Sequence, residues 1–406
     1  VNPVQAAEAE VGDLFRRHSG RIVATLTRAL GAERIDLAHD AAQDAFVRAL
    51  QSWPWHGVPE NPSAWLIRAA RNRAIDVIRR ERWLAGGEDA LAAAVVPSGQ
   101  EPSVFDDDQL ALIFLCCHPE LAPEVRVALT LRSVCGFSTR EIARAFLLEE
   151  ATVAQRLVRA KRAIRERGLR FEMPPEPEMR ERLGSVLAVI YLVFNEGYSA
   201  TSGETLLREE MCEEAIWLAT MLVEHPGTGS PAVHALLSLM LLQAARLPAR
   251  VDSSGELLLF EEQDRGKWDA RLVRLGFEHL DRAATGDEIT PYHVQAAIAA
   301  AHAHPQPDWE HIVRLYDDLL VLQPSPVVEL NRAVALSRSR GPGPALERVA
   351  NLHGLERWHL YHAVTARLWR DAGDCERAAA AYRAALACSC TEPERRFLNR
   401  MLEQVL

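Results

Sequence analysis

Apolar residues between Ser138 and Arg167 recur at a spacing that admits two short helices joined by a tight turn. Ser138 with Glu141 three residues on forms a capping box, in which each side chain satisfies the other's exposed backbone amide. Ile142, Ala143, Phe146 and Leu147 then share one helical face. In the second helix Val153, Leu157, Ala160 and Ile164 form an inward stripe. Thr152, Gln155, Arg156, Arg159 and Arg162 are left on the opposite side. A short helix, a turn and a second helix with an Arg-bearing outer face is the geometry that places a helix in the DNA major groove. The plain alternative is an amphipathic hairpin whose basic face is only solvated.

The chain has 406 residues and a formal net charge of −10, an odd balance for a DNA binder until it is divided. Residues 1–170 carry 23 Arg and Lys against 22 Asp and Glu, whereas the rest carries 23 against 34. The halves therefore face different partners. Within the first half the basic residues fall into two groups. One is Arg68, Arg71, Arg73, Arg79, Arg80 and Arg82; the other runs from Arg156 through Arg159, Lys161, Arg162, Arg165 and Arg167 to Arg170. Such groups attract phosphate. The seven cysteines are an odd number without a C-x-x-C pair, and Cys116, Cys117, His118 and Cys135 match no zinc spacing, so buried thiols are expected and no metal. No leader and no apolar run near 18 residues stand out, which predicts a cytoplasmic protein without a membrane segment.

Taken in order, Val11, Leu14 and Phe15, then Ile22, Leu26 and Leu30 mark helices, and a further helix follows Gly31. Its Leu37, Ala41, Ala42, Ala45, Phe46 and Leu50 can pack inward, leaving Asp36, Asp40, Gln43, Asp44 and Arg48 outside. Trp53 to Pro62 reads as a loop, and Ser63 as the cap of a helix Ala64–Trp83 that carries the first Arg group. Trp53, Trp55, His56 and Trp65 are candidates for stacking on single-stranded bases, although tryptophan in a small helical domain is commonly core. Residues 85–104 read as a linker, and helices are expected over Asp108–Cys117 and from Pro123 onward.

These stretches resemble the bacterial extracytoplasmic-function sigma factors of RNA polymerase. The resemblance is carried by Asp40-Ala-Ala-Gln43-Asp44-Ala-Phe46, by Ala64 to Arg80, by Gly136 to Ala143 and by Thr152 to Lys161, in that order. It implies that Asp40, Gln43 and Asp44 grip the core polymerase. It implies that residues 54–63, with Trp55, His56 and Asn61, capture an unstacked base of the minus-ten element beside Arg71, Asn72, Asp76, Arg79 and Arg80. Thr152, Gln155, Arg156, Arg159 and Lys161 would meet the minus-thirty-five element. Glu149 and Glu150 depart from a simple basic reader. They suit the helix dipole but repel phosphate, or accept a hydrogen bond from cytosine.

Beyond the Pro-rich, acidic Glu172–Glu178 the chain reads as helical: an apolar helix Leu183–Phe194, a polar loop Asn195–Gly203, and a turn with a brief extended run over Arg250–Arg265. Toward the C-terminus Gly341 and Gly373 lie 32 residues apart, Ala345 and Ala378 lie 33 apart, and Tyr316 and Tyr382 lie 66 apart. A period near 34 suggests tetratricopeptide-like helix pairs, whose concave face commonly binds a peptide or protein. The whole extension is similar to that of a sigma-factor subgroup with a long helical C-terminal domain, which implies regulation by the extension and a small ferredoxin-like partner protein.

The expected fold is therefore all-α. It comprises sigma region 2 at 10–84, a linker at 85–104, and sigma region 4 with its helix-turn-helix at 105–170. A second linker follows at 171–180, then a partly tetratricopeptide-like regulatory domain at 181–406. The expected function is an alternative sigma factor that binds core RNA polymerase and promoter DNA, with no cofactor and no catalysis. Two alternatives stay open at this point. One is a helix-turn-helix regulator that never engages polymerase. The other is an enzymatic extension, whose cleft would draw on Asn195, Glu196, Tyr198, Asp264, Arg265, His293, His302 and His304.

Overall fold

The computed structural model of the protein describes residues 3–84, 103–146, 148–198, 209–252 and 255–406, without the side chains of 3–10, 12–17, 82, 84, 103–107, 144 and 145. Leu14, Phe15, Arg82, Leu147, most of the expected linker 85–104 and the Ser199–Gly203 part of the polar loop lie outside the described residues. Among those described there are eighteen α-helices and no strand, only one isolated antiparallel bridge between Val251 and Leu257. The fold class is all-α, as expected. The chain divides into two compact units, residues 1–144 with 148–189, and residues 145–147 with 190–406.

The first unit opens with three helices, α1 (Pro3–Leu30), α2 (Ile35–His56) and α3 (Pro62–Leu84), which pack on one another. Their inner faces are rich in small residues: Ala38, Ala41, Ala42, Ala45 and Ala49 on α2, and Ala70 and Ala74 on α3. Alanine keeps helix propensity high and lets backbones approach closely. Leu50, expected inside, is 40% exposed. α2 also runs further than expected, through Pro54 to His56, before Gly57 reverses the chain at φ 80. Pro54 lacks only one amide bond in the last turn, and Trp53 is buried edge-on against Trp65 at 5.5 Å, which anchors that turn. The cap of α3 is Asn61, whose Oδ1 accepts from the Ala64 amide at 3.0 Å, in place of the expected Ser63.

Four further helices follow: α4 (Ser103–Cys116), α5 (Pro123–Ser133), α6 (Thr139–Ala145) and α7 (Glu150–Glu166). α4 is buried on every side from Asp108 to Cys116: its Leu110–Cys116 run is apolar, and Asp108 is paired with Arg28. It packs against both α1 and α5. Cys116, Cys117 and Cys135 are buried thiols, and burial pushes Cys117 up to about 12. α8 (Glu176–Tyr198) begins in the first unit, where Arg126 donates to Ser185 Oγ at 3.0 Å, and ends in the second.

The second unit is built around α10 (Pro231–Ala244), which packs on α9 (Glu209–Glu224), α11 (Ala270–Ala283) and α12 (Pro291–Ala303). Pro231–Ala249 has the length and a mean hydropathy, 1.3, that would suit a membrane span, contrary to the expectation of no such run; it is 72% buried in this core. Gly276 lets α11 cross α10 closely, since a Cβ there would meet Leu242 Cγ at 2.7 Å, and its carbonyl accepts from Ser238 Oγ at 2.8 Å. An array of α13 (Trp309–Leu322), α14 (Pro326–Arg340), α15 (Pro342–Ala350), α16 (His359–Asp371), α17 (Cys375–Ala387) and α18 (Glu392–Glu403) completes the unit, each helix packed on the next. The weak repeat has a structural counterpart. Gly341 after α14 and Gly373 after α16 both take left-handed φ, 86 and 83, and Ala345 on α15 and Ala378 on α17 are both fully buried.

Candidate nucleic-acid interface

The start of α6 is capped by the residues that announced it. The Ser138 amide donates to Glu141 Oε2 at 2.7 Å and the Glu141 amide to Ser138 Oγ at 3.1 Å. Val153, Leu157, Ala160 and Ile164 are buried, which fixes the roll of α7 and turns Gln155 and Arg159 outward. Thr152 and Arg156 are half-buried at the edges of that face. Arg162 is held along the helix by Glu166 at 2.6 Å. Val158, which spacing did not single out, is 63% exposed between Gln155 and Arg159. An apolar side chain there is suited to a thymine methyl. Glu149 and Glu150 are exposed at the start of α7, and Glu149 makes no side-chain cap.

On α3, Leu66, Ala70, Ala74 and Ile78 point inward. The same roll places Arg68, Asn72, Asp76, Arg79 and Arg80 in solvent, with Arg71 half-buried beside them. Around the α2–α3 turn, Trp55 is 80% exposed, His56 and Asn61 are exposed, and Trp83 at the far end of α3 is 78% exposed. Trp53 is core. The Asn61 oxygen is engaged as a helix cap, and His56 Nδ1 lies 3.0 Å from the Ser52 carbonyl.

The acidic face of α2 is partly engaged. Asp40 and Gln43 are exposed, whereas Asp44 is ion-paired with Arg73. Asp36 pairs with Lys161 of α7, so the Lys161 ammonium is turned to α2 and away from the outer face of α7. Gln43 lines a shallow cleft with Ser19, Val23, His39, Arg132, Ser133 and Gly136, where α1 and α2 meet the end of α5. Arg28 of α1 also donates to the buried Asp108 of α4 at 2.5 Å. Long-range pairs of this kind leave no trace in local spacing, and none was legible in the chain.

His39 sits under this junction. Burial, then the charges of Arg132 and Lys161, hold its imidazole down at about 3. A base whose pKa is depressed by folding takes up its proton first in the unfolded chain, so stability is lost as pH falls below 6.5 toward 3. Between pH 7 and pH 5 the first unit is expected to lose about 2 kcal/mol from this group. Chemical denaturation at the two pH values checks it, and His39→Gln should remove that part of the loss.

Three of the residues considered for a cleft in the extension make structural contacts. Asp264 accepts from the Gly266 amide, Arg265 donates to the carbonyls of His302, Ala303 and His304, and His293 bonds Thr290 across the start of α12. Among the described residues no three His, Cys, Asp or Glu side chains gather as metal ligands.

Comparison with known proteins bears on both units. Sigma-70 region 2 matches residues 14–84 and Sigma-70, region 4 matches residues 111–164. A Family of unknown function (DUF6596) matches residues 182–284. An uncharacterized protein of Rhizobium meliloti, R00370, is 39% identical over 406 residues, 95% of either chain. The RNA polymerase sigma factor CarQ of Myxococcus xanthus is 32% identical over 136 residues, 32% of this chain and 72% of that one. The ECF RNA polymerase sigma factor SigE of Mycolicibacterium smegmatis is 27% identical over 165 residues, 40% of this chain and 63% of that one. No solved structure matches the chain. With regions 2 and 4 in order and these relatives across them, the chain belongs to the sigma-70 family of RNA polymerase sigma factors.

Proposed function

We propose that this chain is an alternative sigma factor that binds core RNA polymerase and directs promoter-specific initiation from the cytoplasm, under control of its C-terminal extension. Residues 10–84 act as region 2 and residues 105–170 as region 4, and residues 181–406 are the regulatory domain. The observation that carries this reading is the pair of outward Arg-bearing helix faces, on α3 and on α7, in two segments matched to sigma regions. Asp40, Gln43 and Asp44 then meet polymerase, the α3 face with Trp55, His56 and Asn61 takes the opened minus-ten strand, and α7 reads the minus-thirty-five duplex. An exposed aromatic beside arginine stacks on any unpaired base, and arginine on α7 reads guanine or holds phosphate. The small ferredoxin-like partner is supported by neither the fold nor the relatives and is left out of the proposed function.

α5 lies on α1, and α7 meets the Ala32–Arg34 turn and reaches α2 through Asp36–Lys161; on this reading that is a closed form. Promoter elements 25 base pairs apart are separated by about 85 Å at 3.4 Å per step. Helices tied by Asp36–Lys161 cannot reach both.

The test is transcription by core polymerase plus this chain on a randomised promoter library. Enrichment of a bipartite sequence supports the reading, whereas DNA binding without polymerase-dependent transcripts would leave a regulator that acts alone. Comparing the full chain with one ended after Val189 tests the extension. Higher activity on truncation means inhibition, and lost activity means a required element. Equal activity with equal promoter choice rejects a regulatory role.

A further inference from the structure

Between α10 and α11 the chain leaves the helical layers and lays residues 255–268 along the C-terminal helices. A turn at Gly255 pairs Val251 with Leu257, Phe260–Glu262 forms one 3-10 turn, and Arg265–Lys267 another. Of the described residues from Val251 to Asp264 only Gln263 is buried; Leu257, Leu258, Leu259 and Phe260 are half-buried. Within the helical second unit this segment has no core of its own. Its place is set by what it lies against.

Those contacts form a series. Glu256 pairs with Arg400 of α18 at 3.1 Å, and the Leu257 carbonyl accepts from the same arginine at 3.2 Å. Glu261 pairs with Arg367 of α16 at 3.0 Å and with Arg338 of α14. Phe260 meets His302 of α12 edge-on at 5.2 Å, and Arg265 donates to the carbonyls that end α12. The hydrogen bonds and ion pairs from the segment to the array thus go to α18, α16, α14 and α12, every second helix in reverse chain order. In a stack of helix pairs alternate helices form one wall, and that wall is where repeat proteins hold extended peptides. Here the wall presents Arg338, Arg367 and Arg400 within a part of the chain whose net charge is −11, so it selects acidic partners locally.

We propose that the wall of α12, α14, α16 and α18 is a binding groove for an extended acidic–apolar segment of a partner protein, and that Gly255–Asp264 fills it in cis as an internal stand-in. The sequence Gly-Glu-Leu-Leu-Leu-Phe-Glu-Glu-Gln-Asp describes the partner's chemistry: a leucine and phenylalanine run flanked by carboxylates. Its ion-paired carboxylates, Glu256 and Glu261, are 27% and 39% exposed, and ion pairs at such exposure hold weakly one by one. What keeps the stand-in seated is its tether, which makes its local concentration high. A partner segment of the same kind displaces it when it binds tightly enough to outcompete that tether.

The test uses the full chain and a fluorescein-labelled synthetic peptide copying residues 250–266, with binding read by anisotropy. Glu256→Ala with Glu261→Ala loosens the internal segment, and this variant is expected to bind the peptide at least about tenfold more tightly than wild type. Adding Arg338→Ala and Arg367→Ala should abolish the gain. Equal binding to wild type and to the folded double variant overturns the proposal. Should the double variant unfold, hydrogen exchange on the wild-type chain with saturating peptide gives a second reading. Faster exchange across residues 255–264 supports displacement, and unchanged exchange there overturns it.

Discussion

Replacing Arg79 and Arg80 together with alanine is expected to cut promoter-dependent initiation by about a hundredfold or more while the chain still folds and still binds core polymerase. Both side chains are exposed, and neither makes an ion pair among the described residues. Their removal therefore leaves no buried group unsatisfied and opens no cavity. On the proposed path of the opened strand, each would make a charge-assisted contact to phosphate, worth about 1.5–3 kcal/mol. Two such losses exceed the 1.4 kcal/mol that makes a factor of ten. The salt dependence gives an independent reading, since each lost single-strand phosphate contact lowers the slope of log affinity against log salt by about 0.7. An Arg79→Ala/Arg80→Ala chain with unchanged initiation and an unchanged slope would remove α3 from the DNA path. Loss of polymerase binding with it would instead move these residues to the polymerase face.

What could be read in the chain was what repeats locally. The α6–α7 helix pair was legible because the Ser138–Glu141 box at the start of α6 and the Val153, Leu157, Ala160, Ile164 stripe of α7 are each set within a dozen residues. The repeat positions Gly341 and Gly373 were legible for a related reason, since both occupy a left-handed turn that glycine adopts without a Cβ clash. Misreadings came where tertiary contact overrode local preference. Pro54 suggested a loop, but burial of Trp53 against Trp65 carries α2 past it. Ser63 looked like a cap, but the chain turns two residues sooner and Asn61 takes the role. Pairs such as Asp36–Lys161, Arg28–Asp108 and Glu261–Arg367 join residues more than seventy positions apart, and no spacing rule reaches them. For the candidate site this matters directly: the outer face of α7 was foreseeable, whereas the turning of Lys161 toward α2 was not.

Gly20→Ala should open the first unit. Gly20 lies within α1, where alanine would ordinarily add about 1 kcal/mol of helix stability. Here a Cβ would stand 2.0 Å from the Val134 carbonyl oxygen, which is backbone at the end of α5 and cannot rotate away. The sign of the effect therefore depends on whether α1 and α5 remain together. If they do, the clash costs about 1–3 kcal/mol, as overpacking does elsewhere. Because that cost falls on the closed form alone, it raises the open fraction by about five- to hundredfold. Asp36–Lys161 and Arg28–Asp108 lie across the same junction and part with it. The apolar run Leu110–Cys116 of α4, packed on α1, then exposes surface that water disfavours, so on the proposed function the open form stays a minority until polymerase covers it. The expected result is faster association with core polymerase, with faster hydrogen exchange in α5 and α7 of the free chain. A Gly20→Ala chain that is more stable than wild type, with association unchanged, would mean that the two regions do not hold each other in solution. Slower association would mean that polymerase binds the closed form, and that region 4 is recruited as a unit with region 2.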